Sequence, residues 1–171
     1  LFSVSEEDLS QRPFSKTSMY LLDLQTMHLD TIWEDEPFAY SAQFSPEGTQ
    51  LLIHGAPEAF GGKGLNIRPE QTANSYDTQS FIMDLATRHI EPVTKNFNPT
   101  IDSQQWNYKD GFIYYRTQDG DRENMYRYSF KTKKFEMLPL QEDVIRSFDI
   151  ARNGEWATYT GVSVSNSSRA Y

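Results

Sequence analysis

Phe44-Ser45-Pro46-Glu47-Gly48, followed at once by the apolar run Leu51-Leu52-Ile53, decides the fold. A Ser-Pro-Glu-Gly piece between two apolar segments reads as strand, tight turn, strand. Proline presets one turn position, and glycine supplies the positive φ that side chains resist. Two looser copies follow. Trp106-Asn107-Tyr108-Lys109-Asp110-Gly111 precedes Phe112-Ile113-Tyr114-Tyr115, and Ile150-Ala151-Arg152-Asn153-Gly154 precedes Trp156-Ala157-Thr158-Tyr159. Gly48, Gly111 and Gly154 are 63 and 43 residues apart. The shorter interval lies in the range of roughly 40 to 45 residues expected of a four-stranded propeller blade. The expected fold class is therefore all-β, a partial β-propeller of about four blade equivalents built from four-stranded antiparallel sheets.

A second anchor checks the period. Tyr20-Leu21-Leu22-Asp23-Leu24-Gln25-Thr26 matches Phe81-Ile82-Met83-Asp84-Leu85-Ala86-Thr87 and, more loosely, Tyr126-Arg127-Tyr128-Ser129-Phe130-Lys131-Thr132. Asp23, Asp84 and Ser129 are 61 and 45 residues apart, again one long and one short interval. The surplus of about 20 residues falls in 56–78, where Pro57, Gly61, Gly62, Gly64 and Pro69 remove all periodicity. This stretch reads as a loop inserted between the second and third strands of one repeat. The expected division is the last strands of one blade at 1–36, complete blades at 37–96 and 97–142, and the first half of another at 143–171. Within it, 1–5 is a strand, while Glu6-Glu7-Asp8 and Glu34-Asp35-Glu36-Pro37 are polar connections. Arg169-Ala170-Tyr171 starts a last strand.

Composition agrees with a globular β protein. The 171 residues suffice for a sizeable core, and the 14% aromatic content, mostly 10 Tyr and 11 Phe, suits half-buried strand faces. A formal net charge of −8 without clustered Lys and Arg argues against a general nucleic-acid binder. The absence of cysteine excludes disulfides, thiolate chemistry and Cys-based zinc sites. No apolar stretch is long enough to span a bilayer as a helix, and residues 1–5 lack the features of a signal peptide. Because the chain begins inside a repeat, any targeting segment is expected upstream of residue 1.

The Ser-Pro-Glu-Gly turn, together with an aromatic-x-x-Asp-Leu hairpin ending in Thr-x-x, resembles the PD40-type blades of the prolyl oligopeptidase family of serine peptidases. The N-terminal propellers of the dipeptidyl-peptidase-like and acylaminoacyl-peptidase-like branches are the nearest in pattern. The same blade occurs in TolB-like proteins. The resemblance implies a non-catalytic propeller that gates or positions peptide substrate for an α/β-hydrolase domain of the same polypeptide, and it favours a periplasmic or extracytoplasmic setting. The nucleophile is expected in that other domain, because no Gly-x-Ser-x-Gly elbow occurs here. Glu6-Glu7 is the only adjacent glutamate pair, but its flanks do not match the paired-glutamate motif of dipeptidyl peptidases. The competing expectation is a free-standing TolB-like propeller acting as an interaction scaffold.

Other chemical candidates have plainer readings. His28 and His89 recur at equivalent hairpin positions, with Lys134 in the third copy, as outer-strand surface residues would. His54 is a strand residue beside the insertion. Gly61-Gly62-Lys63-Gly64 lacks the spacing of a phosphate loop, and Asp119-Gly120-Asp121 with Glu123 and Asn124 is a hairpin turn rather than a calcium loop. No cofactor or metal is implied. The insertion is where repeat proteins place function, and Phe60, Arg68 and Tyr76 are its candidate contacts for a partner domain, a subunit or a substrate. Exposed strand edges at both ends are expected either to close imperfectly, with the terminal strands sharing one blade, or to favour self-association.

Overall fold

The computed structural model describes residues 1–171 and is all-β apart from one short helical turn. The chain forms two compact units. The first comprises residues 1–44 and 49–96, the second 45–48 and 97–171.

The first unit holds two antiparallel sheets. One is the meander β1 (Phe2–Glu7), β2 (Ser15–Leu22) and β3 (Leu29–Glu36). The other runs β4 (Ala39–Phe44), β5 (Gln50–Gly55), β6 (Gln79–Asp84) and β7 (Ile90–Pro92), in that spatial order. Between β5 and β6 lies the one-turn helix α1 (Ala59–Gly62). Met19, Ile32, Trp33, Leu51, Ile53, Phe81 and Met83 form one buried cluster shared by the two sheets. Leu52 and Ile82, register partners whose side chains alternate to the opposite face, are also buried. Both faces of β5 and β6 are thus out of water. This is why Leu51-Leu52-Ile53 and Phe81-Ile82-Met83 are continuous apolar runs rather than alternations.

The second unit contains β8 (Thr100–Trp106), β9 (Ile113–Asp119), β10 (Arg122–Ser129) and β11 (Lys134–Met137) as an antiparallel meander. β12 (Val144–Ile150), β13 (Ala157–Ser163) and β14 (Asn166–Ala170) form a further antiparallel set. A single parallel bridge, Glu123 to Val144, joins β10 to β12. Here β9 alternates as an ordinary half-buried strand does, with Ile113, Tyr115 and Thr117 buried and Tyr114 and Arg116 half-buried.

Both sequence anchors have a common geometry in every copy. Gly48, Gly111 and Gly154 all take the left-handed conformation, with φ of 71°, 71° and 67°. In the Asp23 and Asp84 hairpins the aspartate amide donates to the carbonyl of His28 or His89 at 2.9 Å. The aspartate Oδ1 accepts the amide of Thr26 at 3.0 Å or of Thr87 at 2.8 Å. The residue after the threonine is left-handed in all three copies, at Met27, Arg88 and Lys133. One turn type therefore underlies the repeated sequence, and the side-chain cap explains why Asp or Ser occupies its first position.

Three boundaries differ from the sequence expectation. β1 continues through Glu6 and Glu7, which pair with Lys16 and Ser15. β3 continues through Glu34, Asp35 and Glu36, where Thr17 pairs with Glu36 across register shifts. Both acidic runs lie in strands because an outer strand needs ladder partners rather than apolar side chains, and Asp35 reaches a left-handed φ of 50° as its amide donates to Ser18 Oγ. The last strand begins at Asn166 instead of Arg169, so the polar Asn166-Ser167-Ser168 lies inside a strand.

Candidate functional site

The 56–78 insertion has an anchored base and an exposed tip. Ala56, Pro57 and Ala59 are buried where the chain leaves β5. Phe60 and Gly61 then both turn left-handed, with φ of 56° and 73°. For phenylalanine this conformation is costly, of the order of 1–3 kcal/mol, and must be held by its surroundings. Glu36, at the end of β3, does so: its Oε2 accepts the Phe60 amide at 2.9 Å and its Oε1 the Phe38 amide at 3.1 Å. The Phe60 ring is set edge-on to Trp33 and Phe81, at centroid distances of 5.5 and 5.8 Å. Gly64 completes the seat. A Cβ there would collide with Gln79 Oε1 and meet Phe81 Cζ and Pro57 Cα at 3.0 Å, so only glycine lets the loop pass this close to β6.

Beyond Gly64 the loop runs over the surface. Lys95 Nζ donates to the Lys63 carbonyl at 3.3 Å, and Asn66 donates to Asn96 at 3.1 Å. Arg68 is exposed, its backbone closed by reciprocal hydrogen bonds of 3.0 Å with Gln71. Tyr76 is 90% exposed, its amide donating to Asn74 Oδ1. The return path passes a polar corner. Ser75 Oγ donates to Glu58 Oε1 at 2.7 Å, the Tyr40 hydroxyl reaches the Ser75 carbonyl at 3.5 Å, and the Tyr40 ring is edge-on to His54. Partial burial, reinforced by the Glu58 carboxylate and Tyr76, holds the Tyr40 phenol above its ordinary range, so it remains a donor at neutral pH. Glu58 Oε2 is buried and makes no hydrogen bond.

The three candidate residues of the insertion therefore occupy different settings. Arg68 and Tyr76 are presented to solvent on the tip, whereas Phe60 is half-buried in the base. Sequence reasoning missed Glu36, Tyr40 and Glu58. Glu36 and Glu58 sit in or beside stretches read as solvated, and their roles depend on the chain returning to them from 24 and 17 residues away. The remaining candidates separate likewise. His28 and His89 each accept the amide of Asp23 or Asp84 through their carbonyl, a backbone role at a hairpin. Lys63 closes the C-terminal end of α1, its amide donating to the Ala59 carbonyl, and Gly120, with φ of 63°, makes the β9–β10 hairpin. No group of three or more His, Cys, Asp or Glu side chains is arranged to hold a metal ion. No helix is long and apolar enough to cross a membrane.

No family model and no curated protein matches the sequence. Solved structures do match the fold. The β-propeller domain of the Trilobed protease from Pyrococcus furiosus superposes with a TM-score of 0.70 at 15% identity, over 98% of this chain and 44% of that one. Acylaminoacyl peptidase from Pyrococcus horikoshii gives 0.68 at 17% identity, over 99% of this chain and 23% of that one. TolB from Acinetobacter baumannii gives 0.64 at 17% identity, over 98% of this chain and 37% of that one. The chain thus spans less than half the length of each of these structures. At these identities the likeness concerns the fold: the chain has β-propeller architecture, with blades of antiparallel strands and an unclosed set of sheets.

Proposed function

We propose that this chain is the propeller segment of a prolyl-oligopeptidase-like serine peptidase, gating or positioning peptide substrate for an α/β-hydrolase domain of the same polypeptide. What carries the reading is the conjunction of PD40-type turns with a fold shared by two peptidase propellers. In this reading residues 1–36 close one blade, 37–96 and 97–142 are complete blades, and 143–171 open the next. The chain itself contributes no nucleophile. Arg68 and Tyr76 on the tip of the insertion contact the hydrolase domain or the substrate, and Phe60 fixes the angle at which the tip is presented.

The experiment is to sequence the gene beyond the codon for Tyr171 and to treat the full-length polypeptide with a fluorophosphonate probe. A Gly-x-Ser-x-Gly elbow downstream and probe labelling at its serine are expected. A stop after further blades, without labelling, would overturn the peptidase reading. The likeness to TolB then favours the second reading, a propeller that serves as a protein-interaction scaffold with the insertion as its docking loop.

A further inference from the structure

The three copies of the Asp/Ser hairpin turn act as an internal control for what the fold requires. Each needs a capping side chain at its first position, Thr three residues later, and a left-handed residue next. None of this requires positive charge. The first two copies read Asp23-Leu24-Gln25-Thr26-Met27-His28 and Asp84-Leu85-Ala86-Thr87-Arg88-His89, and each carries an aspartate. In the second, Arg88 is tied to Asp30 at 2.6 Å. The third reads Ser129-Phe130-Lys131-Thr132-Lys133-Lys134. It has replaced the carboxylate with a hydroxyl, which caps Thr132 at 3.2 Å, and has gained three lysines. In a chain of net charge −8, residues 124–135 contain Arg127, Lys131, Lys133 and Lys134 and no acidic residue.

This turn borders a cleft of about 400 Å³, lined by Phe112, Arg127, Ser129, Thr132, Lys134 and Glu136. Arg127 is fixed in it. Its guanidinium lies over the Phe112 ring, 4.8 Å from the centroid, and binds Glu136 at 2.7 Å. That pairing leaves the Lys134 ammonium, exposed and without an ion pair, facing a cleft with the Phe112 ring on one wall and two hydroxyls. Lys133 is engaged over the Phe130 ring at 4.8 Å, and Lys131 stands exposed on the turn.

We infer that the β10–β11 hairpin is a docking site for an acidic peptide segment bearing an aromatic side chain. The aromatic ring packs against Phe112 beside the Arg127 guanidinium, and the flanking carboxylates pair with Lys134 and Lys131. The argument for this occupant is charge complementarity: the lysines exceed what the turn needs, and the one acidic position of the repeat is vacated where the cleft opens. The site shares no residue with the insertion and does not depend on the peptidase reading.

The test titrates a blocked peptide, two glutamates flanking a phenylalanine, into the full-length polypeptide by calorimetry at 50 mM salt. Binding with a Kd of about 1 mM or tighter is expected, weakened at least tenfold at 500 mM salt. The glutamine version of the peptide should bind at least tenfold more weakly. Lys131→Gln with Lys134→Gln, both exposed, should abolish binding without lowering Tm. Ser129→Asp is the sharper variant. Restoring the aspartate of the other two copies should keep or raise Tm while weakening the peptide at least tenfold. Equal binding of both peptides, or binding unaffected by Ser129→Asp, overturns the proposal. Phenylacetate binding as tightly as the peptide overturns it too, because the cleft would then be a pocket for small carboxylates.

Discussion

The sheets β4–β7 and β8–β11 have the same order and the same turns, yet they are held together differently. In β5 and β6 six consecutive-register residues, Leu51 to Ile53 and Phe81 to Met83, are all buried, and stability comes from apolar area removed from water. In β8–β10 the equivalent space is partly polar. Arg116 on β9 reaches Asp102 on β8 at 3.1 Å and Glu123 on β10 at 2.8 Å, and Glu123 binds Arg146 on β12 at 3.0 Å. On the opposite face of these strands, aromatic contacts replace aliphatic ones, with Phe97 stacked on Phe135 at 4.1 Å and Trp106 on Phe130 at 5.4 Å. The insertion adds to the first sheet alone: it brings Phe60 and Gly64 onto Phe81, on the face equivalent to the one β9 buries through Ile113 and Tyr115.

The strongest way to break the comparison is Phe81→Ala. Its ring is fully buried and touches the anchor of the insertion, so truncation should cost about 3–5 kcal/mol by denaturant titration. Segment-resolved hydrogen exchange should show β5, β6 and residues 56–64 losing protection together. A loss under about 1 kcal/mol would mean that the insertion is not packed as described. Gly64→Ala probes the same seat more gently. The added methyl presses on Phe81 and Pro57 and should cost about 1–3 kcal/mol, whereas Gly120→Ala acts only through its positive φ, since the space around it is open.

Arg116→Met interrogates the other sheet. It leaves Glu123 and Asp102, about four-fifths and three-quarters buried, without their shared partner, and should cost about 1–3 kcal/mol. Adding Asp102→Asn should recover part of that loss, because Asp102 is the carboxylate left uncompensated, whereas Glu123 keeps Arg146. Full additivity of the two substitutions would show that the pair is not coupled. The first sheet should be indifferent to both changes.

How much of this is legible in the sequence follows from the same contrast. The turns are readable because each is local: a left-handed glycine, or a capped aspartate with Thr three residues on, writes its requirement into adjacent positions. The doubly buried strands are readable from their unbroken apolar runs. What escapes is set by distant returns of the chain. Glu34-Asp35-Glu36 reads as a solvated connection, yet β2 recruits it into a strand and Glu36 holds Phe60. Phe60 itself reads as any loop aromatic would, and only the positions of Trp33 and Phe81 show that its ring turns inward. Arg68 and Tyr76 carry no such hidden partner and stand exposed.

Acid offers the finest distinction, between turns capped by carboxylates and the one capped by a hydroxyl. The side chain and amide of Thr87 both donate to Asp84, and the amides of Thr26 and Gln25 donate to Asp23, so both aspartates titrate below their ordinary range. A carboxylate whose folded pKa is depressed stabilises its turn fully above its unfolded pKa, roughly 3.9, and that contribution is lost as pH falls through the lower folded value. Ser129 has no proton to gain in this window. Followed by amide NMR from pH 6 downwards, the Thr87 and Thr26 resonances should shift below about pH 4, while Thr132 stays constant. Ser129→Asp should make Thr132 titrate like the other two. If Thr132 moved in the unsubstituted chain, the acid response would belong to the hairpins as a whole, and the carboxylate would no longer be what distinguishes the first two copies from the third.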